Sequence, residues 1–402
     1  MCLRCARTPS SGVSLAGLTT RGGGWFTILA TNTEHLTISG LTIHAARDAM
    51  DIMGCRHVLI TGMNISGGGD DAVKFGSDFS RGRVLESYDV NVTNSAVGSN
   101  GCNALQFGSE TVGDFHDYRF ENISVTKAGK AGIGIVSMDG SHIYNIVYKN
   151  ITMVGATTPL CRDLDRLPGR ADPHTLAANV CSACLLAPPC LLEHCGLGLT
   201  PSCARSLADI YIGGRLRRPP AGLGFNDTLV GAIRDITVSN VRVRSGAGST
   251  KSNWTATIEG QPADATVGLH DAHWVGPNIA LSDVVVEVVG GGRSADAGIV
   301  PPHPSGTFPP RSLGHRPSYG MFIRRATGVS LSEVGVRWAA PDGRPPFILA
   351  EVDGVGFGAG VEAEASSPPT SYDIGLRENC TGVTVSPGSK LVVKNISGVS
   401  GQ

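Results

Sequence analysis

The sequence predicts an all-β chain wound as a parallel β-solenoid. Three observations carry that prediction: a recurring strand pattern, glycine and asparagine at the joins, and no amphipathic helix between the repeats. The segment HLTISGLTI at 35–43 returns as HVLITGMNI at 57–65, and degenerate copies begin at Asp89, Tyr118, Tyr144, Ile233, Ile279 and Val329. Each copy alternates apolar and polar residues with period two, the mark of a strand with one buried face. After most copies comes a second short apolar strand: MDIMG, AVKFGS, ALQFGS, GIGIVS. A period of roughly 22–30 residues is too short for a propeller blade, which needs about 40–50 residues and four strands.

Aligning the second strands makes their faces readable. With Met50, Val73, Leu105 and Ile133 inward, alternation also turns Ile52, Phe75, Phe107 and Ile135 inward. Asp51, Lys74, Gln106 and Gly134 then form an outward column on consecutive rungs. Asp48 and Asp71 fall just before their strands, one rung apart, where alternation no longer applies.

Composition narrows the function classes. Glycine is 54 of 402 residues, about 13%, with no three-residue period, which excludes collagen. A hydrophobic fraction of 41% against 17% charged residues excludes a disordered chain. The net charge of -1 gives no reason to expect nucleic acid as a partner, and no apolar run is long enough to cross a bilayer. Met1 to Arg7 lacks the apolar core of a secretory signal, and strand-like sequence starts within a dozen residues. A solenoid needs a cap on its open edge, so a single domain over 1–402, truncated at its N-terminus, is expected.

Six cysteines (Cys161, Cys181, Cys184, Cys190, Cys195, Cys203) crowd one stretch with no period-two pattern. Cys181-x-x-Cys184 is not followed by a second x-x pair, so a zinc site is not expected there. Residues 161–208 read as a Cys- and Pro-rich insertion outside the solenoid, interrupting a rung that resumes at Ile210.

The string Gly67-Gly68-Gly69-Asp70-Asp71-Ala72-Val73 holds the chemistry. Adjacent carboxylates on a regular strand face opposite ways, and both reach one cleft only at a bend that the glycines permit. Two carboxylates held close separate their proton affinities and supply an acid and a base at one pH. A calcium site or a solvated aspartate turn would use the same residues.

This order of motifs resembles glycoside hydrolase family 28, the polygalacturonases, within the pectin-lyase-like superfamily. Its hallmarks are Asn-Thr-Asp before a Gly, Gly-Asp-Asp, Gly-His-Gly and Arg-Ile-Lys on four successive rungs. Here they read Ala46-Arg47-Asp48-Ala49, Gly69-Asp70-Asp71, Gly101-Cys102-Asn103 and Gly134-Ile135-Val136, with Phe107-Gly108-Ser109-Glu110 similar to a Gly-Ser-Glu of the family. The resemblance covers about residues 10–160 and extends more weakly to about 360. It implies a single-stranded right-handed parallel β-helix that hydrolyses a pectin-like polysaccharide with inversion, without cofactor or metal. Asp70 would be the general acid, and Asp48 with Asp71 would position and activate water. It also implies an extracellular or cell-wall setting. A monomer binding polysaccharide, with no nucleic acid and no membrane partner, is expected.

Lys74, Gln106, Asp51 and Glu110 are the expected substrate-binding residues, although a turn carboxylate also accounts for Glu110 and an ion-paired lysine for Lys74. His116 and His142 read as surface histidines, and Cys102 as a small apolar filler. Asn-x-Ser/Thr strings, among them Asn64, Asn122, Asn150 and Asn395, also read as solenoid ladders. The lost Arg and Lys of the fourth motif leave Lys74 as the one cation that the alignment puts on the cleft floor, favouring a neutral or esterified sugar. A polysaccharide lyase and a non-catalytic carbohydrate-binding solenoid are the competing functions. Chelator-sensitive activity would mark the first, and saccharide binding without reducing-end release the second.

Deleting 161–208 is expected to leave the folded rungs intact and raise soluble yield, because six cysteines leave with it. Loss of cooperative unfolding on deletion would place the stretch in the core.

Overall fold

The computed structural model describes residues 3–4, 9–154, 209–214, 231–245, 255–264, 271–302 and 313–396. The segment 161–208 lies outside the described residues. Apart from a single 3-10 turn at Ser294–Gly298, the regular structure described is strand. Among the described residues every strand-to-strand pairing is parallel, and strands inside the stack pair with their counterparts one rung earlier and one rung later. That pattern is a parallel β-helix. No helix among the described residues is long and apolar enough to cross a membrane.

One face of the solenoid stacks Phe26–Thr31, Asp48–Met53, Val73–Ser77, Leu105–Thr111, Ala131–Ser137 and Asp209–Gly214. Its register aligns Met50, Val73, Leu105, Ile133 and Ile210, all buried, and two residues later Ile52, Phe75, Phe107, Ile135 and Ile212, also buried. Between them run Asp51, Lys74, Gln106 and Gly134, in the register expected from alternation. The first strand starts earlier than the pattern suggested. Ala49 and Met50 donate backbone N–H bonds to Asp71 (3.0 Å) and Ala72 (3.1 Å), so Asp48 is the first residue of the strand, not part of the preceding turn.

A second face stacks Ser10–Ala16, Thr33–Ser39, Arg56–Thr61, Ser87–Gly98, Phe115–Lys127 and His142–Val154. Its inward column of Leu36, Val58, Val90, Tyr118 and Ile146 meets the first face in aromatic contacts, Phe75 to Tyr118 at 5.1 Å and Phe107 to Tyr118 at 4.8 Å. Tyr118 keeps its buried hydroxyl satisfied by donating to Ser87 Oγ at 2.7 Å.

Corners between faces repeat a left-handed residue at the same register. Gly40 and Gly62 occupy one such corner, followed by Asn94, Asn122, Asn150 and Asn240 with φ of 50°, 57°, 56° and 49°. Asparagine tolerates this conformation, and its amide can bond to the copy above. Asn122, Asn150 and Asn240 each donate from Nδ2 to the Oδ1 one rung earlier, at 3.2, 3.0 and 2.7 Å. The sequon-like strings at Asn122 and Asn150 are therefore ladder positions.

Phe107 is fully buried and touches Phe75, Phe115 and Tyr118. Phe107→Ala is expected to destabilise the fold by about 3–5 kcal/mol, read as a lower denaturant midpoint.

Candidate active site

Two glycines, Gly67 and Gly68, take left-handed φ of 85° and 72° and turn the chain out of the strand Asn64–Gly67. The turn is clamped between rungs: Gly68 and Gly69 donate to Ala45 and Ala46 below (2.9 and 3.0 Å), while Asn100 and Gly101 donate to Gly67 and Gly68 (2.8 and 3.2 Å). Gly101 lies against the carbonyl of Gly69, and a Cβ there would sit 2.1 Å from that oxygen. This backbone-on-backbone contact sets the height of the next two residues, Asp70 and Asp71.

Asp71 is buried, and its Oδ1 accepts from the backbone N–H of Asn103 at 3.0 Å and from Asn103 Nδ2 at 2.8 Å. Burial pushes its carboxyl above the usual range, as does the charge of Asp70, and hydrogen bonds from the Cys102 side chain and the Asn103 backbone oppose them. Asn103 in turn accepts from the Ala131 N–H at 3.0 Å, so it ties three rungs together. The sequence pattern assigns Asn103 no role, because its side chain acts through a partner on the neighbouring rung.

Asp48 is 3% exposed, and burial followed by repulsion from Asp70 and Asp71 raises its carboxyl to about 6. Asp51 is 1% exposed and is raised to about 7, chiefly by burial, against the pull of Lys74. Lys74 Nζ lies 2.6 Å from Glu110 Oε2 and 3.3 Å from Asp51 Oδ2. Burial disfavours its charge, yet the two carboxylates outweigh burial and hold the ammonium above its ordinary value. Its shorter ion pair is with Glu110.

Asp70 is the more exposed member of the pair, at 30%, and it accepts from Arg47 Nη2 at 2.9 Å. The other terminal nitrogen, Nη1, stands 3.6 Å from Asp48 Oδ2. The Arg47 guanidinium also lies over the ring of Trp25, 4.1 Å from its centroid.

These side chains line a groove of about 1120 Å³ that holds Asp48, Asp51, Asp70, Asp71, Lys74 and Glu110. Gln106 is not among its lining residues. It is buried, and its amide turns back to donate to the Phe107 carbonyl. The Gly134 next to it has no side chain, and a Cβ there would meet Gln106 Oε1 at 2.0 Å, so this glycine accommodates the folded-back amide. The groove also contains Arg47, Arg81 and Lys130, which corrects the expectation of a single cation and removes the basis for a neutral-sugar preference. Alternation could not find them, because Arg47 sits at a corner and Arg81 and Lys130 lie between strands.

Three ligand atoms, from Asp70, Asp71 and Cys102, lie within 4.8 Å of one another. Burial and the Asp71 charge push the Cys102 thiol far up. His116 lies away from the groove, stacked between Tyr88 and Tyr144 at 5.0 and 4.9 Å, and His142 is exposed.

No family model and no curated protein matches this chain. Among solved structures it is similar to a family 28 exopolygalacturonase from Yersinia enterocolitica, at 13% identity and a TM-score of 0.46, covering 88% of this chain and 45% of that one. A hyperthermoactive exopolygalacturonase from Thermotoga maritima follows at 13% identity and a TM-score of 0.42, covering 81% and 52%. The A-module of a mannuronan C-5 epimerase from Azotobacter vinelandii gives 10% identity and 0.30, covering 96% and 90%. The chain spans about half the length of the two exopolygalacturonases.

The raised carboxyls make stability depend on pH. A carboxyl whose folded value lies above its ordinary 3.8 binds more protons folded than unfolded between the two values, so stability falls as pH rises through that window. The denaturant midpoint is expected to fall between about pH 4 and 7. In Asp48→Asn the fall should be shallower between about pH 4 and 6, and an unchanged slope would deny Asp48 its part.

Proposed function

We propose that the chain is a glycoside hydrolase that cleaves a pectin-like or related polysaccharide with inversion of the anomeric centre. The observation that carries this reading is the meeting of Asp48, Asp70 and Asp71 in one open groove, with Asp48 raised to about 6. In this reading Asp70, the carboxyl nearest solvent, delivers a proton to the glycosidic oxygen as the C–O bond breaks. Asp48 takes a proton from water as its oxygen bonds to the anomeric carbon from the opposite face. Asp71, fixed by Asn103, orients that water and keeps its neighbours' charges in check.

In this reading Asp48, on the other side of the Arg47 guanidinium from Asp70, is the base. Asp70 and Asp71 present oxygens within 4.8 Å, whereas an inverting pair needs about 6.5–9.5 Å between carboxyls to admit water. Lys74 is held charged by Asp51 and Glu110 and is not available as the base of a lyase. Lys74 and Glu110 fit substrate hydroxyls at the groove floor. Secretion to a cell wall belongs to the same reading.

Reducing-end release from a panel of acidic and neutral polysaccharides tests the activity. Asp70→Asn should lower kcat by about 10²–10⁴ while the thermal melt stays cooperative. Near-normal turnover in that variant would remove Asp70 from the role of acid.

A further inference from the structure

The guanidinium of Arg47 stands between the two carboxylates to which this reading gives opposite duties. Nη2 is bonded to Asp70 at 2.9 Å, and Nη1 lies 3.6 Å from Asp48 Oδ2. Neither Nη1 nor Asp48 Oδ2 has a hydrogen-bond partner, although both atoms are buried. A glycosidic bond under attack must lie between its acid and its base, so substrate and guanidinium compete for one space. An Asp70 that accepts from Arg47 also cannot offer a proton from the same oxygen.

Arg47 has an alternative support. It rests on Trp25, and Trp25 is 68% exposed at the same groove, the most exposed of the large hydrophobic side chains described. A sugar ring presents an apolar face that packs on indole, and a guanidinium moved along that indole keeps its cation–π attraction.

We propose that Arg47 is a positioning residue that locks Asp70 in the empty groove, and that a saccharide seated on Trp25 displaces it and frees Asp70 to act. This inference rests on the hydrolase reading above. Once Arg47 moves off, the groups facing Asp70 are Asp48 from the rung below, Asp71 beside it and Cys102 from the rung above. Lys74, Lys130 and Arg81 are the remaining cations of the groove. With the Arg47 bond gone, that Asp70 oxygen can carry and offer a proton, as general-acid catalysis requires. The lock therefore opens when substrate is present.

The pH dependence of kcat/KM and kcat tests this in wild type, Arg47→Gln, Arg47→Lys and Trp25→Ala. The alkaline limb of kcat/KM reports the free protein, and that of kcat the complex. In wild type the limb of kcat should lie at higher pH than that of kcat/KM. Arg47→Gln should raise the kcat/KM limb by about one pH unit, toward the kcat limb, because an arginine beside an aspartate favours the charged form by about that much or more. Arg47→Lys should stay near wild type, and Trp25→Ala should raise KM with the kcat limb unmoved. A kcat/KM limb that stays put in Arg47→Gln overturns the lock, even if kcat falls. If wild type cleaves no saccharide, the hydrolase reading fails on its own. The lock is then read by carbon-13 NMR titration of the aspartate carboxyls, with Asp70→Asn for assignment. An Asp70 midpoint that rises in Arg47→Gln supports the lock, and one that does not move overturns it.

Discussion

Crowded carboxylates are tolerable in this groove because a parallel solenoid fixes side chains by register. Each residue of a rung sits over its counterpart about 4.8 Å below, whatever its charge. Asp51, Lys74, Gln106 and Gly134 are held in line by the buried residues on either side of them, and a slip of one residue would turn the whole core outward. The apolar columns thus supply the rigidity, and the polar column between them carries strain that no free chain would accept. Lys74 relieves part of it, as a cation enclosed between Asp51 and Glu110.

The glycines convert that register into a reactive surface. Gly67 and Gly68 turn the chain through conformations closed to most residues, and Gly101 brings the backbone of the next rung against Gly69. Asp70 and Asp71 are raised on that turn, one toward solvent and one toward Asn103. Their environments differ because a single peptide step moves a side chain from an open groove into the protein. The same device that separates their exposure separates the tasks they can perform.

Much of this was legible in the sequence, and the line between legible and hidden is physical. Period-two alternation gave the inward columns and the Asp51 to Gly134 column to the residue, because strand geometry is local. The Gly-Asp-Asp turn was readable because three glycines before two carboxylates have few other uses. Alternation placed Gln106 outward, but its amide is folded back beside Gly134, a matter of a neighbour one rung away that lacks a side chain. Arg47, Trp25, Arg81 and Lys130 escaped for a related reason. They sit at corners, at strand edges and in turns, where direction depends on backbone angles that side-chain pattern does not encode.

The asparagine corner column has a mechanical consequence. Backbone bonds between rungs and the amide bonds joining Asn94, Asn122, Asn150 and Asn240 all run along the solenoid axis. A pull along that axis meets them one rung at a time, as in opening a zipper, and each rung resists with only its own bonds. A pull across the axis, along the strands, loads a whole rung together in shear. The molecule is therefore soft end to end and stiff from side to side, and the amide ladder adds resistance in the soft direction.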